Sequence, residues 1–289
     1  MVFVYFSNPV LASVELYNRR TMTVPTLLAL DFDGVVCDGR PEYFETAWRA
    51  YIEAWPPPAL TTGRPDNVAA QFSTLRPLIE SGWEMPLLLH ALLAGVGKAS
   101  LANRHVWLTT AKGLMADAGV SAETLGRALN RIRDEWFARN PDGWLSHHGF
   151  YPGIVARLMS LADGGPRVVI VTTKAERFVR ALMAAQNPRL AAIAVVGREP
   201  GAPVPKPVTL RRLADKYGVG ADGTGLWFVE DMLETLEATA TRPELAGARL
   251  FLADWGYNTA EDRASLGAAG RVRRLSLDCF AGPLEAWPG

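Results

Sequence analysis

Five short runs of this chain are apolar without interruption, and they decide most of what it can fold into. "TLLALDF" follows Pro25, and four more come after residue 165: "RVVIVTT" (167 to 173), "AAIAVVG" (191 to 197), "LWFVED" (226 to 231) and "ARLFLADWG" (248 to 256). A strand with one face in water alternates apolar and polar residues, whereas a run without alternation is buried on both faces, as in a parallel sheet. Between the runs lie segments of helical periodicity, such as "KAERFVRALMAAQ" and "PVTLRRLADKYG". Strand, helix, strand repetition predicts an α/β chain with a parallel sheet and helices on its faces. Right-handed crossovers then bring the C-terminal ends of all strands to one edge of the sheet, where such proteins bind ligands.

Residues 38 to 150 have a different texture. "PEYFETAWRAYIEAW", "VAAQFSTLRPLIESG", "MPLLLHALLAGV" and "SAETLGRALNRIRDEWFARN" are periodic at helical spacing, with no strand signal among them. The predicted organisation is a core of residues 24–37 and 151–289, an inserted all-helical cap over 38–150, and a leader over 1–23 that is disordered or loosely docked. Six of the nine tryptophans (Trp48, Trp55, Trp83, Trp107, Trp136 and Trp144) lie in the insertion, where aromatic residues at helical spacing read as packing. The leader opens with six apolar residues and carries its arginines after them, the reverse of a secretory signal, and Met22 leaves open a later native start.

Composition narrows the classes. Lysine plus arginine equal aspartate plus glutamate at 30 each, which argues against a polyanion-binding surface, so no nucleic-acid partner is expected. No apolar run approaches the roughly 18 to 20 residues that span a bilayer. Cys37 and Cys279 are too few for a disulfide framework and fit a reducing compartment. The expectation is a soluble, cytoplasmic protein.

Three motif-like segments fail on context. "GVGADG" (218 to 223) matches G-x-G-x-x-G, but it follows a helix and precedes a strand, the reverse of a dinucleotide loop. "AGVGKAS" lacks the first glycine of a phosphate-binding loop, since Leu92 stands there. His90, His105, His147 and His148 lack the spacing and cysteine neighbours of a zinc site. The pair His147 and His148, where the insertion returns to the core, stays a candidate for facing a ligand.

The chemistry gathers at the strand ends. Asp31 and Asp33 are two residues apart in "LLALDFDGVVCDG", so extended geometry turns both carboxylates to one side. Two adjacent acids repel, and Mg²⁺, which prefers carboxylate and carbonyl oxygens, is the simplest counter-charge. "VTTK" adds the hydroxyls of Thr172 and Thr173, "PKP" places Lys206 directly before a helix, and "FVED" adds Glu230 and Asp231. Together they offer a nucleophile, an acid or base, donors for phosphate oxygens and a second acidic site for a divalent cation.

In this order and context the segments resemble the four motifs of the haloacid dehalogenase-like (HAD) superfamily, in particular its phosphatases and phosphomutases with a helical cap inserted after the first motif. The resemblance runs from about residue 25 to about residue 275, and "YPGIVARLMSLADGG" is similar to the helix by which phosphoglycolate-phosphatase-like and β-phosphoglucomutase-like relatives re-enter the core. It implies a Rossmann-like core and a Mg²⁺-dependent phosphatase for a small phosphorylated metabolite. On this reading Asp31 attacks phosphorus to form an aspartyl-phosphate, and Asp33 protonates the leaving oxygen and later deprotonates the attacking water. Thr172, with Thr173 beside it, and Lys206 would hold the phosphoryl group; Mg²⁺ would sit on the Asp31 carboxylate, the Asp33 carbonyl and the Asp231 carboxylate. The fourth motif departs from the commonest pattern, with Glu230 and Thr235 where a glycine and a further acid are usual. Whether Glu230 touches the metal or orients Lys206 stays open.

Phosphoryl transfer is mainly positioning and charge neutralisation, which these residue types supply. Asp33 favours that chemistry over dehalogenation, because only an ester oxygen needs a proton on leaving. The insertion would carry substrate contacts, with Arg40, Arg76 and Trp83 as candidates. Three rivals stand beside the phosphatase: a sugar phosphomutase with the same residues, a receiver-like signalling module, and a non-catalytic binding protein.

Overall fold

The computed structural model describes residues 24–56, 63–198, 204–267 and 270–289. The predicted leader, Met22 included, lies outside the described residues. The strands are β1 (Leu27–Leu30), β2 (Cys37–Asp38), β3 (Gly149–Phe150), β4 (Arg167–Ala175), β5 (Ala194–Arg198), β6 (Leu226–Glu230), β7 (Arg249–Ala253) and β8 (Val272–Leu275). Six of them form one sheet in the order β5-β4-β1-β6-β7-β8, and every neighbouring pair is parallel. The chain divides into two compact units, one ending at Val36 and resuming over Tyr151–Gly289, the other formed by Cys37–Phe150.

β1 occupies the middle of the sheet because it has the least to show to water. All four of its residues are fully buried, with Leu28 opposite Val168 on one side and Trp227 on the other. Complete burial of a leucine side chain is worth about 1.5 to 3 kcal/mol. One face gathers Leu27, Ala29, Val169, Phe228 and Leu250 under Leu210, Leu213 and Leu236 of the helices Lys206–Lys216 and Leu233–Ala240. By strand alternation Trp227 and Phe251 lie on the other face, packed on Trp287, which in turn meets Phe280 of the helix Leu277–Ala281. The sheet grows outward from β1 to β5, then restarts beside β1 with β6 and grows the other way. That reversal is a topological switch point, the place where open α/β sheets bind their ligands.

All five apolar runs contain a strand of the sheet. "AAIAVVG" contributes from Ala194 onward only, because Pro188–Ala192 close into a 3₁₀ turn. β8 has no counterpart among the five. It lies at the sheet edge beside β7 and sets the more exposed Arg273 and Arg274 between buried Val272 and Leu275, so it never forms a continuous apolar run. The antiparallel pair β2 and β3 is also new; two residues per strand are too few to carry a period.

The unit Cys37–Phe150 is built from α1 (Arg40–Ala54), α2 (Val68–Thr74), α3 (Glu84–Leu93), α4 (Arg104–Ala118), α5 (Ala122–Arg139) and α6 (Pro141–Leu145). α5 buries Leu125, Leu129, Ile132 and Trp136, one stripe at helical spacing. Two glutamates are fully buried there. Glu84 accepts from the Trp107 indole at 2.7 Å and from Ser81 N–H at 2.8 Å, and pairs with Arg104; Glu42 accepts from Arg133 Nε at 2.7 Å, Thr46 Oγ1 at 2.6 Å and the Trp144 indole at 3.3 Å. Trp107, Trp136 and Trp144 are buried, as the packing expectation requires, while Trp48, Trp55 and Trp83 are half-buried.

The candidate substrate contacts are engaged inside this unit. Arg40 pairs with Asp38 at 2.6 Å; Arg76 is buried over the Tyr43 ring and donates to the Ile79 carbonyl. His147 contacts the Gly143 carbonyl at 2.7 Å and packs edge-on to Trp136, and buried His148 lies against Trp144. Cys37 is buried and Cys279 half-buried, and no disulfide joins them. No helix of the described residues is long and apolar enough to cross a membrane.

Candidate active site

The site is built at the C-terminal end of β1. Asp31 N–H still donates to the Val229 carbonyl of β6 at 2.9 Å, so the backbone is held in the sheet while its carboxylate emerges at the edge, only 6% exposed. Asp33 follows two residues later, and Gly34 turns the chain away with φ +90°. A side chain at residue 34 is doubly excluded. The conformation is one that L residues rarely adopt, and a Cβ there would lie 2.0 Å from Asp231 Oδ2. Asp231 is thus packed against the turn that follows the two aspartates.

The loop after β7 holds Asp231 from the other side. Tyr257 N–H donates to Asp231 Oδ2 at 2.8 Å, and Asn258 Nδ2 bridges the carbonyls of Asp231 (3.0 Å) and Ala253 (2.8 Å). Sequence reasoning missed this support. The available signal was "GYN" (256 to 258), which overlaps the last residue of the fifth apolar run and adds two polar-tipped residues at the same edge of the sheet.

Lys206 opens the helix Lys206–Lys216, and its ammonium lies 2.9 Å from Asp31 Oδ1 and 2.6 Å from Glu230 Oε2. The other oxygen of Glu230 accepts from the N–H groups of Asp231 and Met232, each at 3.2 Å. One carboxylate oxygen each from Asp31, Glu230 and Asp231 lies within 4.8 Å of the others. Burial, followed by the neighbouring charge of Glu230, pushes the Asp31 carboxyl up to about 7. Burial also raises Glu230 to about 7, against the pull of Lys206 and with the help of Asp231. Burial works to lower Lys206, but Asp31 and Glu230 together hold it above the ordinary lysine range, so it stays an ammonium. Three carboxyls facing one ammonium leave negative charge uncompensated. Clustered carboxylate oxygens with excess charge suit a hard divalent cation such as Mg²⁺, so the residues fit the metal that the sequence implies.

The third element is the end of β4. Thr172 and Lys174 are buried, 7% and 8% exposed, while Thr173 between them is exposed. Strand alternation therefore separates Thr173 from its two neighbours and puts Thr172 on the side of Lys174. Thr172 Oγ1 accepts the N–H of Lys174 at 3.1 Å, and Lys174 Nζ reaches both carboxylate oxygens of Asp33, at 3.1 and 3.4 Å. Lys174 was not among the residues expected here. Its place in the helix-periodic "KAERFVRALMAAQ" hid it, but β4 runs on to Ala175 and the helix begins at Glu176. The strand-end spacing T-x-K, which puts a hydroxyl and an ammonium on one side, was the signal.

No family model matches the chain, and no curated protein matches it. Solved structures do. A protein of Clostridium acetobutylicum shares 16% identity over 89% of this chain and 97% of its own, with TM-score 0.56. One from Haemophilus somnus shares 15% over 90% and 96%, with TM-score 0.54, and one from Bacteroides fragilis 16% over 88% and 98%, with TM-score 0.55. Their functional names are themselves inferred ones: a predicted phosphatase, a predicted phosphoglycolate phosphatase and a haloacid dehalogenase-like hydrolase. The chain therefore has the haloacid dehalogenase-like fold, a Rossmann-like parallel sheet with an inserted helical unit.

Proposed function

We propose that the chain is a Mg²⁺-dependent phosphatase of the haloacid dehalogenase-like superfamily, hydrolysing a small phosphorylated metabolite through an aspartyl-phosphate on Asp31. The observation that carries this reading is the buried contact of Asp31 with Lys206, beside Asp231 and two residues before an aspartate held by a second lysine. Similarity of fold to proteins described as phosphatases supports it.

Each residue has a task its surroundings suit. Asp31 is the nucleophile, fixed by its backbone bond to β6 and splitting one displacement into two. Lys206 brings its charge to the oxygens of the transferring group, where negative charge is greatest. The Thr172 hydroxyl oxygen is engaged as an acceptor by Lys174 N–H, which leaves its hydrogen to donate to a phosphoryl oxygen. Asp33 gives a proton to the leaving oxygen and takes one from the water that attacks the aspartyl-phosphate. The Asp31 and Asp231 carboxylates and the Asp33 carbonyl would hold Mg²⁺, with Glu230 adding charge and holding Lys206 against Asp31. Bound there, the ion would neutralise charge on the phosphoryl oxygens and offset the repulsion among the acids.

A panel of phosphorylated metabolites assayed with and without Mg²⁺ tests the reading directly. Phosphate release should require the ion and disappear in Asp31→Asn, and activity that survives this substitution would refute the mechanism. Transfer of phosphate between positions of a sugar, without release, would replace the phosphatase by the phosphomutase.

A further inference from the structure

We propose that Lys174 is a positioning residue for the general acid and base: its ammonium fixes the Asp33 carboxylate relative to the phosphate-binding hydroxyl of Thr172. This rests on the phosphatase reading above and assigns within it a residue that the four motifs leave without a task.

Lys174 is a long cationic side chain held at 8% exposure, with its side chain 4% exposed against 15% for that of Asp33. An ammonium is buried to this degree only where a specific partner offsets the loss of hydration. Here Nζ spans both oxygens of one carboxylate, at 3.1 and 3.4 Å, which opposes rotation of that group about its terminal bond. The backbone of the same residue donates to Thr172 Oγ1. One residue therefore contacts both the hydroxyl expected to hold the phosphoryl group and the acid expected to protonate the leaving oxygen.

The strand is shaped for this contact. The pairing of β4 with β5 slips between Val171 and Ala175, an irregularity of the kind that re-aims side chains beside sites. Across the slip, Gly197 of β5 admits the displaced backbone, since a Cβ there would lie 2.7 Å from the Lys174 carbonyl oxygen and 2.6 Å from Glu176 N. Thr172 and Lys174 stay on one side of the strand through the bend, and Thr173 is left facing water.

Leaving-group dependence separates this task from phosphate binding and from a purely structural one. An alkyl phosphate needs a proton on its departing oxygen, whereas 2,4-dinitrophenyl phosphate departs without one. In the full chain with Mg²⁺, Lys174→Met should lower kcat/KM, which reports the step in which the ester oxygen departs, on the alkyl ester about 10²-fold, the scale of a misplaced catalytic group. The loss on the dinitrophenyl ester should be at least about tenfold smaller, because general acid catalysis contributes little there. Inhibition by inorganic phosphate should hold, and Lys174→Arg should recover most of the alkyl rate. Should Lys174→Met fail to fold, Lys174→Gln, which keeps a donor without the charge, is read in the same way. Equal losses on both esters would overturn the proposal; combined with weakened phosphate inhibition they would make Lys174 a phosphoryl ligand, and with inhibition unchanged a structural residue. Absence of wild-type turnover on both esters would instead remove the phosphatase reading and this inference with it.

Discussion

Asp31 and Asp33 have the same side chain, two residues apart, and the structure gives them different lysines: Lys206 beside the first, Lys174 beside the second. Four of the residues expected at the site, Asp31, Lys206, Glu230 and Asp231, are in mutual contact or within ligand range, because each stands at the end of an apolar run or opens a helix. Lys174 was illegible for a physical reason: the last residues of a strand and the first of a helix share one sequence, and the helical period dominates it. The raised carboxyls give a pH dependence with a definite sign. Between the ordinary values of 3.8 and 4.5 and the folded values of about 7, Asp31 and Glu230 bind more protons in the folded chain than in the unfolded one. From these two groups, metal-free protein should lose stability as pH rises toward 7 and level off above it. Mg²⁺ should therefore raise the melting temperature more at about pH 8 than at about pH 5.5, where protons must first be displaced. Calorimetry on chelator-treated protein checks this, and an equal shift at both pH values would exclude Asp31 from the cation site. Gly34→Ala forces a Cβ against Asp231 and should cost about 1 to 3 kcal/mol, together with loss of the Mg²⁺-dependent shift.

Elements differ in how openly the sequence announces them. β1, β4, β5, β6 and β7 each hold at least three consecutive apolar residues and were legible as runs. β8, with two adjacent arginines in the middle of its four residues, and the two-residue strands β2 and β3 were not. Within the insertion, α3 and α4 are tied by a buried polar hub that no hydrophobic pattern reveals. Glu84, itself fully buried, collects the Trp107 indole, Arg104 and the Ser81 N–H. Truncating it strips the Trp107 indole and the Ser81 N–H of their acceptor and leaves Arg104 with Glu80 and the Leu78 carbonyl as partners. Glu84→Ala should destabilise by about 1 to 3 kcal/mol, read from denaturant unfolding of the full chain. A cost under about 0.5 kcal/mol would mean that Trp107 and Ser81 find other acceptors.

At the scale of the whole molecule, one sequence makes two compact units whose boundaries fall at Val36 and Tyr151. Their textures, continuous apolar runs against helical periodicity, were plain in the sequence; the short antiparallel pair at the junction was not. Cys37 pairs with Phe150 and Asp38 with Gly149, so the insertion departs and returns through adjacent backbone, and Tyr151 N–H donates to the Val36 carbonyl just beyond it. Replacing residues 39–148 by a short turn should leave a chain that folds around the six-stranded sheet, checked by circular dichroism and a single cooperative melt. Once the two ends are clasped in this way, the free energy of closing the loop between them changes by only about 0.6 kcal/mol for each doubling of its length. An ancestor of this chain could therefore exchange, lengthen or discard everything beyond the clasp while inheriting the acids and lysines at the strand ends unaltered, as a tool handle accepts different heads.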